Sequence, residues 1–252
     1  MFKCAHISDV HWRSLKRHDE YKQIFIRMFE KLRNEEPDII FIGGDIVHSK
    51  TQGISPEIIE NLNWWFNELA NIAPVHVILG NHDGLILNED RQDAITPIIS
   101  AINNSNIKLF KKSGTYPTGI EGFNWCVFSC FDQKNWSLVK PVQGEINIAC
   151  FHGAVMNSKT DTDWQLEGEV KLDFFDDYDF GFLGDIHKRQ FLDKDKRIAY
   201  PGSPIQQNYG EDLKKGFLIW EIKNRHDFKS RFISIDNPHP FVTIDWKDNL
   251  EK

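Results

Sequence analysis

The segment Val75-His76-Val77-Ile78-Leu79 is an apolar run that stops at Gly80 and then delivers Asn81, His82 and Asp83 in succession. An apolar run bounded by a turn residue reads as a buried strand, and glycine permits the sharp turn and close backbone approach by which such a strand opens into a site. An amide oxygen, an imidazole and a carboxylate side by side suit divalent-metal and phosphate chemistry. Alone, the tetrapeptide is equally compatible with an ordinary polar turn. The chain repeats the arrangement: Phe2 to Ser8 runs into Asp9-Val10-His11, Asp38 to Ile42 into Gly43-Gly44-Asp45-Ile46-Val47-His48, Glu145 to Phe151 into His152-Gly153, and Asp177 to Leu183 into Gly184-Asp185-Ile186-His187.

The intervening segments have helical periodicity. Tyr21, Ile24, Phe25, Met28, Phe29 and Leu32 recur at helical spacing between Asp19 and Arg33, with Pro37 closing the element. Ser55-Pro56-Glu57 reads as an N-cap with proline in the first turn, opening a helix to about Ala70 that turns Ile58, Ile59, Leu62, Trp65, Phe66 and Leu69 inward. Strands alternating with helices through short connections predict a right-handed parallel arrangement, in which ligands gather at the carboxyl ends of the strands. In Asp9-x-His11 and Asp185-x-His187, extended backbone would place both side chains on one side. Residues 91–112 read as a helix followed by a short strand from Ile107 to Phe110, Trp125 to Phe131 as a strand, and Ala154 to Gly168 as a polar loop over the site. After a turn at Tyr200-Pro201-Gly202-Ser203-Pro204, Gly216 to Ile222, Lys229 to Ile235 and Phe241 to Trp246 read as antiparallel strands.

At 252 residues, 40% of them hydrophobic, the chain is long enough to bury a large core as a single domain, 1–252, with no internal repeat or linker. The N-terminus enters a strand directly, without the apolar stretch of a signal peptide, and no apolar run reaches membrane-spanning length. A cytoplasmic location with no membrane partner is the expectation. Cys4, Cys126, Cys130 and Cys150 lack metal-ligand spacing and read as small buried hydrophobes in a reducing compartment. The net charge of −7 argues against a broad basic face for nucleic acid. Locally, however, Trp12, Arg13, Lys16, Arg17 and His18 form a basic, aromatic cluster beside the first motif. Arg13 and Arg17 are its candidates for substrate phosphate, because a guanidinium fork matches phosphate oxygens.

The strand ends together contribute Asp9, His11, Asp45, Asn81, His82, His152, Asp185 and His187. Imidazoles and carboxylates without cysteine favour Mn, Fe or Zn over a soft thiolate metal, and the histidines are too many for a pure Ca or Mg site. The donors suffice for two ions, with Asp45 as the natural bridge.

These motifs, in this order, resemble the calcineurin-like metallophosphoesterases: Asp9-x-His11, Gly44-Asp45, Gly80-Asn81-His82-Asp83, His152 and Gly184-Asp185-Ile186-His187. Within that family the chain looks most like the SbcD-type recombination nucleases of bacteria and phages. His48 three residues after Asp45, the Tyr200-Pro201-Gly202-Ser203 turn, and Gly210-Glu211 followed by Lys215-Gly216-Phe217 carry that likeness. The resemblance implies an α/β, four-layer αββα sandwich and a DNA exo- or endonuclease subunit of recombination and repair. It also implies two divalent ions, Mn foremost, with Mg, Fe or Zn as alternatives. One ion would take Asp9, His11, Asp45 and His187, and the other Asp45, Asn81, His152 and position 185, where this chain has aspartate in place of the family's usual histidine. His82 would face the phosphate as a catalytic group, with His48 assisting. The implied partners are DNA, a coiled-coil SbcC-type ABC ATPase and a second copy of the chain, while the DNA-binding cap and ATPase-docking segment of such nucleases would be absent or truncated here. The competing readings are a phosphoesterase of the same fold acting on nucleotides or phosphoproteins, and a non-catalytic scaffold.

Overall fold

A computed structural model describes residues 1–48, 54–88 and 91–244. Alternation along β1 (Phe2–Ile7) decides which layer each of its side chains enters. Ala5 and Ile7 join an apolar cluster with α1 (His18–Glu35) and α2 (Pro56–Ala70), while Phe2 and Cys4 join a different cluster on the opposite face, as the period of two in a strand requires. β1 pairs in parallel with β2 (Ile39–Ile42), β2 with β3 (Val75–Ile78), and β3 with β4 (Ile107–Phe110). Every residue of β2 and β3 is buried, which is why both read as uninterrupted apolar runs. The other edge of β1 takes β11 (Lys215–Ile222), which in turn takes β12 (Phe228–Ile235), both antiparallel. The sheet order is β12-β11-β1-β2-β3-β4.

The second sheet holds β5 (Gly114–Pro117), β6 (Phe123–Phe128), β7 (Ile146–His152), β8 (Phe180–Gly184), β9 (Gln190–Phe191) and β10 (Ile198–Tyr200), in the order β5-β6-β7-β8-β10-β9. Its central strands are parallel and its two edge strands antiparallel. Aromatic rings fill the space between the sheets: Phe41 lies 5.0 Å from Trp125, and Phe182 lies 5.0 Å from Trp220, centroid to centroid. Two histidines belong to this core and not to the site. His6 stacks on Phe182 at 4.7 Å, and His76 Nδ1 accepts a 2.8 Å hydrogen bond from Trp125 Nε1. Burial lowers their pKa values to about 3 and about 4, so both rings stay neutral.

Helices α1, α2 and α3 (Ile95–Ile102) cover the first sheet. The second sheet is covered by two 3-10 turns, Gln133–Leu138 and Leu172–Phe175, and by aromatic packing of Phe128, Trp136, Phe151 and Phe174. The fold is therefore the expected α/β sandwich of two face-to-face sheets between helical layers, with the second helical layer reduced to short turns. Ser55 caps α2 as the sequence predicts, its Oγ accepting from Ile58 N–H at 3.3 Å. Ile59, expected to face inward, is 47% exposed, because it follows the buried Ile58 by a 100° step around the helix. The expected third C-terminal strand is absent from Phe241–Ile244: the Phe241 ring packs instead under the Arg17 guanidinium at 4.5 Å and against Tyr209. Asp245 and Trp246, the rest of that expectation, lie outside the described residues. All four cysteines are buried and free, and among the described residues no helix is long and apolar enough to cross a membrane.

Because Trp125 joins both sheets and donates to His76, Trp125→Ala is expected to lower unfolding free energy by about 3–5 kcal/mol. Denaturant titration checks this, and a loss below about 1 kcal/mol would mean that the aromatic layer does not bind the sheets together.

Candidate metal centre

The loops that follow β1 and β2 remain paired after the strands end. Asp9 N–H donates to Gly44 O at 3.1 Å, His11 N–H to Asp45 O at 2.9 Å, and Trp12 N–H to Ile46 O at 2.8 Å. In this stretch Asp9, His11 and Asp45 have φ of 58°, 52° and 53°, left-handed values that are uncommon without glycine and that concentrate at functional sites. Extended alternation therefore does not bring Asp9 and His11 together, contrary to the sequence expectation; a left-handed turn does. The same correction holds after β8, where Asp185 has φ 97°. Its N–H donates to the Asp9 carboxylate at 3.0 and 3.2 Å, joining the two sheets at the site.

Close approach explains Gly80. A Cβ there would collide with Asp45 Oδ1 and the His152 ring, and one on Gly44 with the His152 ring and the Gly80 backbone, so the loops after β2 and β3 and the end of β7 meet where two residues lack side chains. Asp83 fixes the same junction. Its Oδ1 accepts from the N–H groups of Ile46 and Val47 at 2.9 and 3.1 Å, and its Oδ2 from Gly80 N–H at 2.8 Å. The fourth residue of the Gly-Asn-His-Asp motif thus holds the loops together with both carboxylate oxygens and belongs to none of the donor groups found among the described residues. Burial, reinforced by the Asp45 charge, pushes its pKa up to about 7.

Three groups of donors interlock: Asp9, His11 and His187; His11, Asp45 and His82; and Asp9, Asp45 and His152, each with its ligating atoms within 4.8 Å of one another. Asp9, His11, Asp45 and His152 are buried, while Asn81, His82, Asp185, His187 and His48 are half-buried. The centre thus has a closed floor and a reachable rim. His152 Nδ1 lies 2.7 Å from Gly43 O, His187 Nδ1 lies 2.8 Å from Glu211 Oε1, and His82 Nδ1 contacts His48 O. With Nδ1–H so engaged, Nε2 is the nitrogen with which each ring could coordinate, the arrangement found in metal-binding histidines. Among the described residues His152 Nε2 has no hydrogen-bond partner, and it lies 3.2 Å from Asp45 Oδ1. His11 Nε2 lies 2.9 Å from His187 Nε2 and 3.4 Å from Asp45 Oδ2. Among the described residues Asp185 belongs to none of the three groups; its Oδ1 is 3.9 Å from His152 Nε2.

The charges fit cations. Burial raises Asp9 to a pKa of about 6, and burial likewise raises Asp185. Burial opposes ionisation of Asp45 too, but His152 and His11 beside it hold the carboxyl well below the usual range. Burial also opposes the charge on His152, and the Asp45, Asp9 and Asp185 carboxylates outweigh it, so that its pKa rises. The imidazolium thus balances carboxylates that divalent ions would balance with more charge and with direct oxygen ligation.

The arginines have other partners. Arg17 makes a forked pair with Glu20 at 2.7 and 2.8 Å and donates to Gln206 O at 2.8 Å. Arg13 donates to His48 Nε2 at 3.1 Å and to Gln207 O at 3.1 Å, so it stands behind His48 at the rim. Glu211 was legible only as part of a resemblance. In the structure it receives His187 on Oε1, and Lys215 Nζ on Oε2 at 2.9 Å. Burial opposes its charge, yet His187 and Lys215 bring its pKa down to about 2. Such a carboxylate orients a ligating ring, and its loss weakens metal binding about 10–100-fold in comparable sites. Glu211→Ala is expected to do the same here, measured by calorimetric titration with Mn; unchanged affinity would mean that His187 needs no orienting partner.

The uncharacterized protein R555 of Acanthamoeba polyphaga mimivirus is 37% identical over 253 residues, an overlap of 95% of this chain and 18% of R555. This chain therefore corresponds to less than a fifth of that relative's length. Among solved structures, TT1561 of Thermus thermophilus superposes with a TM-score of 0.51 at 8% identity, covering 92% of this chain and 98% of that one; at that identity the likeness concerns the fold. Pseudomonas putida nuclease MPE matches at a TM-score of 0.35 and 18% identity over 64% of this chain and 65% of its own, too loosely to bear on function. The sequence profile of the calcineurin-like phosphoesterases spans residues 2–229, and the chain belongs to that family.

Proposed function

We propose that this chain is a phosphodiesterase that cleaves DNA with two divalent ions, Mn foremost. The observation that carries this reading is the interlocking of three donor groups through shared Asp9, His11 and Asp45, which suits two neighbouring ions with a carboxylate between them. Two divalent ions held there would supply positive charge to a phosphate and a hydroxide nucleophile near neutral pH. On this reading Asp9, His11, Asp45 and His187 hold one ion, and Asp45, Asn81, His152 and Asp185 the other. A carboxylate at position 185 adds negative charge and shifts preference toward hard, oxygen-loving ions such as Mn over Zn. His82 sits on the rim with its Nδ1 engaged by the His48 carbonyl. Its Nε2 is then available to stabilise charge on the phosphate or to protonate the leaving oxygen. His48, backed by Arg13, positions substrate beside it.

A DNA substrate is favoured by where the nuclease-like details lie. Glu211 and Lys215 meet under His187, Ser203 Oγ lies 3.5 Å from Glu211 Oε2, and Lys215 Nζ donates to His187 O at 3.1 Å. Two of the three features that resemble recombination nucleases thus gather behind one rim residue, and the third, His48, contacts His82 and Arg13. The same resemblance supports a coiled-coil ATPase partner and a homodimer as the working assembly, with a role in recombination or repair.

With Mn, the purified chain is expected to cleave single-stranded or duplex DNA in preference to cyclic nucleotides, phosphopeptides and aryl phosphate monoesters, and to lose all activity in chelator. His82→Ala should lower kcat about 10²–10⁴-fold with both ion equivalents retained, whereas Asp185→Ala should lose one equivalent. Full activity after exhaustive chelation would overturn the reading. Loss of an ion from His82→Ala would transfer that residue to the ligands, and two tightly held ions in Asp185→Ala would remove Asp185 from them.

A further inference from the structure

The metal-centre rim continues into a cavity of about 440 Å³ whose lining includes Asp185, His187, Thr160, Thr162, Trp164 and Asn208. That volume lies in the range of small-molecule sites. Trp164 is the unusual member. It is 72% exposed, whereas Trp12, Trp65, Trp125 and Trp220 are fully buried. Its position is nevertheless fixed. Thr160 N–H donates to Trp164 O at 3.0 Å and Leu166 N–H to Ser158 O at 2.9 Å, making a narrow hairpin that turns at Asp163, φ 62°. The hairpin is pinned to the site at several points: Lys188 Nζ reaches Asp163 at 2.6 Å, Asp212 N–H reaches Asp161 at 3.2 Å, and Lys159 N–H reaches Gln190 Oε1 at 2.9 Å. An exposed indole on a braced hairpin, lining the same cavity as Asp185 and His187, is a preorganised contact surface.

We propose that this cavity seats the base of an unpaired nucleotide next to the scissile phosphate, with Trp164 as its stacking face. The proposal rests on the phosphodiesterase reading above and names the form of nucleic acid that the site takes. Every base has a flat π-face, so stacking on an aromatic ring is tolerant of sequence. The Thr160, Thr162 and Asn208 side chains agree with that tolerance, because they are already engaged: the two threonine hydroxyls bond each other at 3.0 Å, and Asn208 bonds Glu211 at 3.1 Å and Gly210 N–H at 2.8 Å. Few edges remain free to read one base against another. A base inside a duplex has both faces covered by its neighbours, so the cavity selects single strands, frayed ends or flipped nucleotides.

Two measurements test this. In chelator, where nothing turns over, 2-aminopurine deoxyriboside 5′-monophosphate at millimolar concentration should be quenched by the wild-type chain and by Trp164→Phe, but not by Trp164→Ala. With Mn, the ratio of kcat/KM for thymidine 5′-(p-nitrophenyl phosphate) to that for methyl p-nitrophenyl phosphate, which shares the leaving group but has no base, should fall about 5- to 100-fold in Trp164→Ala. Trp164→Phe should retain most of the preference. Equal quenching and an unchanged ratio in Trp164→Ala would overturn the base site and would assign the exposed indole to a contact with protein. Failure of the wild-type chain to hydrolyse either ester would instead overturn the phosphodiesterase reading, and the quenching experiment would still judge the cavity.

Discussion

A carboxylate taken out of water must find positive charge, and Asp9 and Asp45 are both buried within a few ångströms of each other. Removing such groups from solvent without a counter-charge costs several kcal/mol per ion even after relaxation. In the protein alone, histidines provide that charge. His152 lies against Asp45 with its pKa raised, and Asp45 is held ionised in return. The same side chains could serve cations, because the Nδ1 atoms of His152 and His187 face protein oxygens, which leaves Nε2 as the nitrogen with which each ring could coordinate an ion. The rest of the structure around the site serves this concentration of charge. Left-handed residues turn the loops inward, Gly80 lets them touch, and Asp83 ties them with backbone hydrogen bonds.

Much of this was legible in the sequence because it depends on local pattern. Buried parallel strands must be apolar on both faces, so β2 and β3 announce themselves, and α1 and α2 follow from periodicity and a serine cap. The donors could be read as a set because each stands where an apolar run ends. Their convergence from two different sheets was not readable from spacing. It arises from the pairing of loops and from the Asp185 N–H on the Asp9 carboxylate. Alternation does not account for Asp-x-His, since it belongs to extended backbone and Asp9, His11 and Asp185 have positive φ. Short edge strands such as β9 escaped for the same reason that they are weak signals: two residues carry no period.

The supporting residues were the least legible. Glu211 lies 24 positions from His187 in sequence, and Lys215 is salt-bridged behind it; nothing local marks a carboxylate as the partner of a distant ring. His6 and His76 show the converse problem, histidines in strands beside ligand-bearing segments that serve only packing and a single hydrogen bond. Whether a histidine binds an ion is decided by where its second nitrogen goes, which only the fold determines.

Anomalous diffraction at the Mn edge from crystals grown with Mn decides whether these strand ends hold two ions around Asp45. Two peaks about 3.5–4 Å apart, with Asp45 between them and the His152 and His187 Nε2 atoms each against one, is the predicted result. A single peak, or none, with His152 still paired to Asp45, would contradict it.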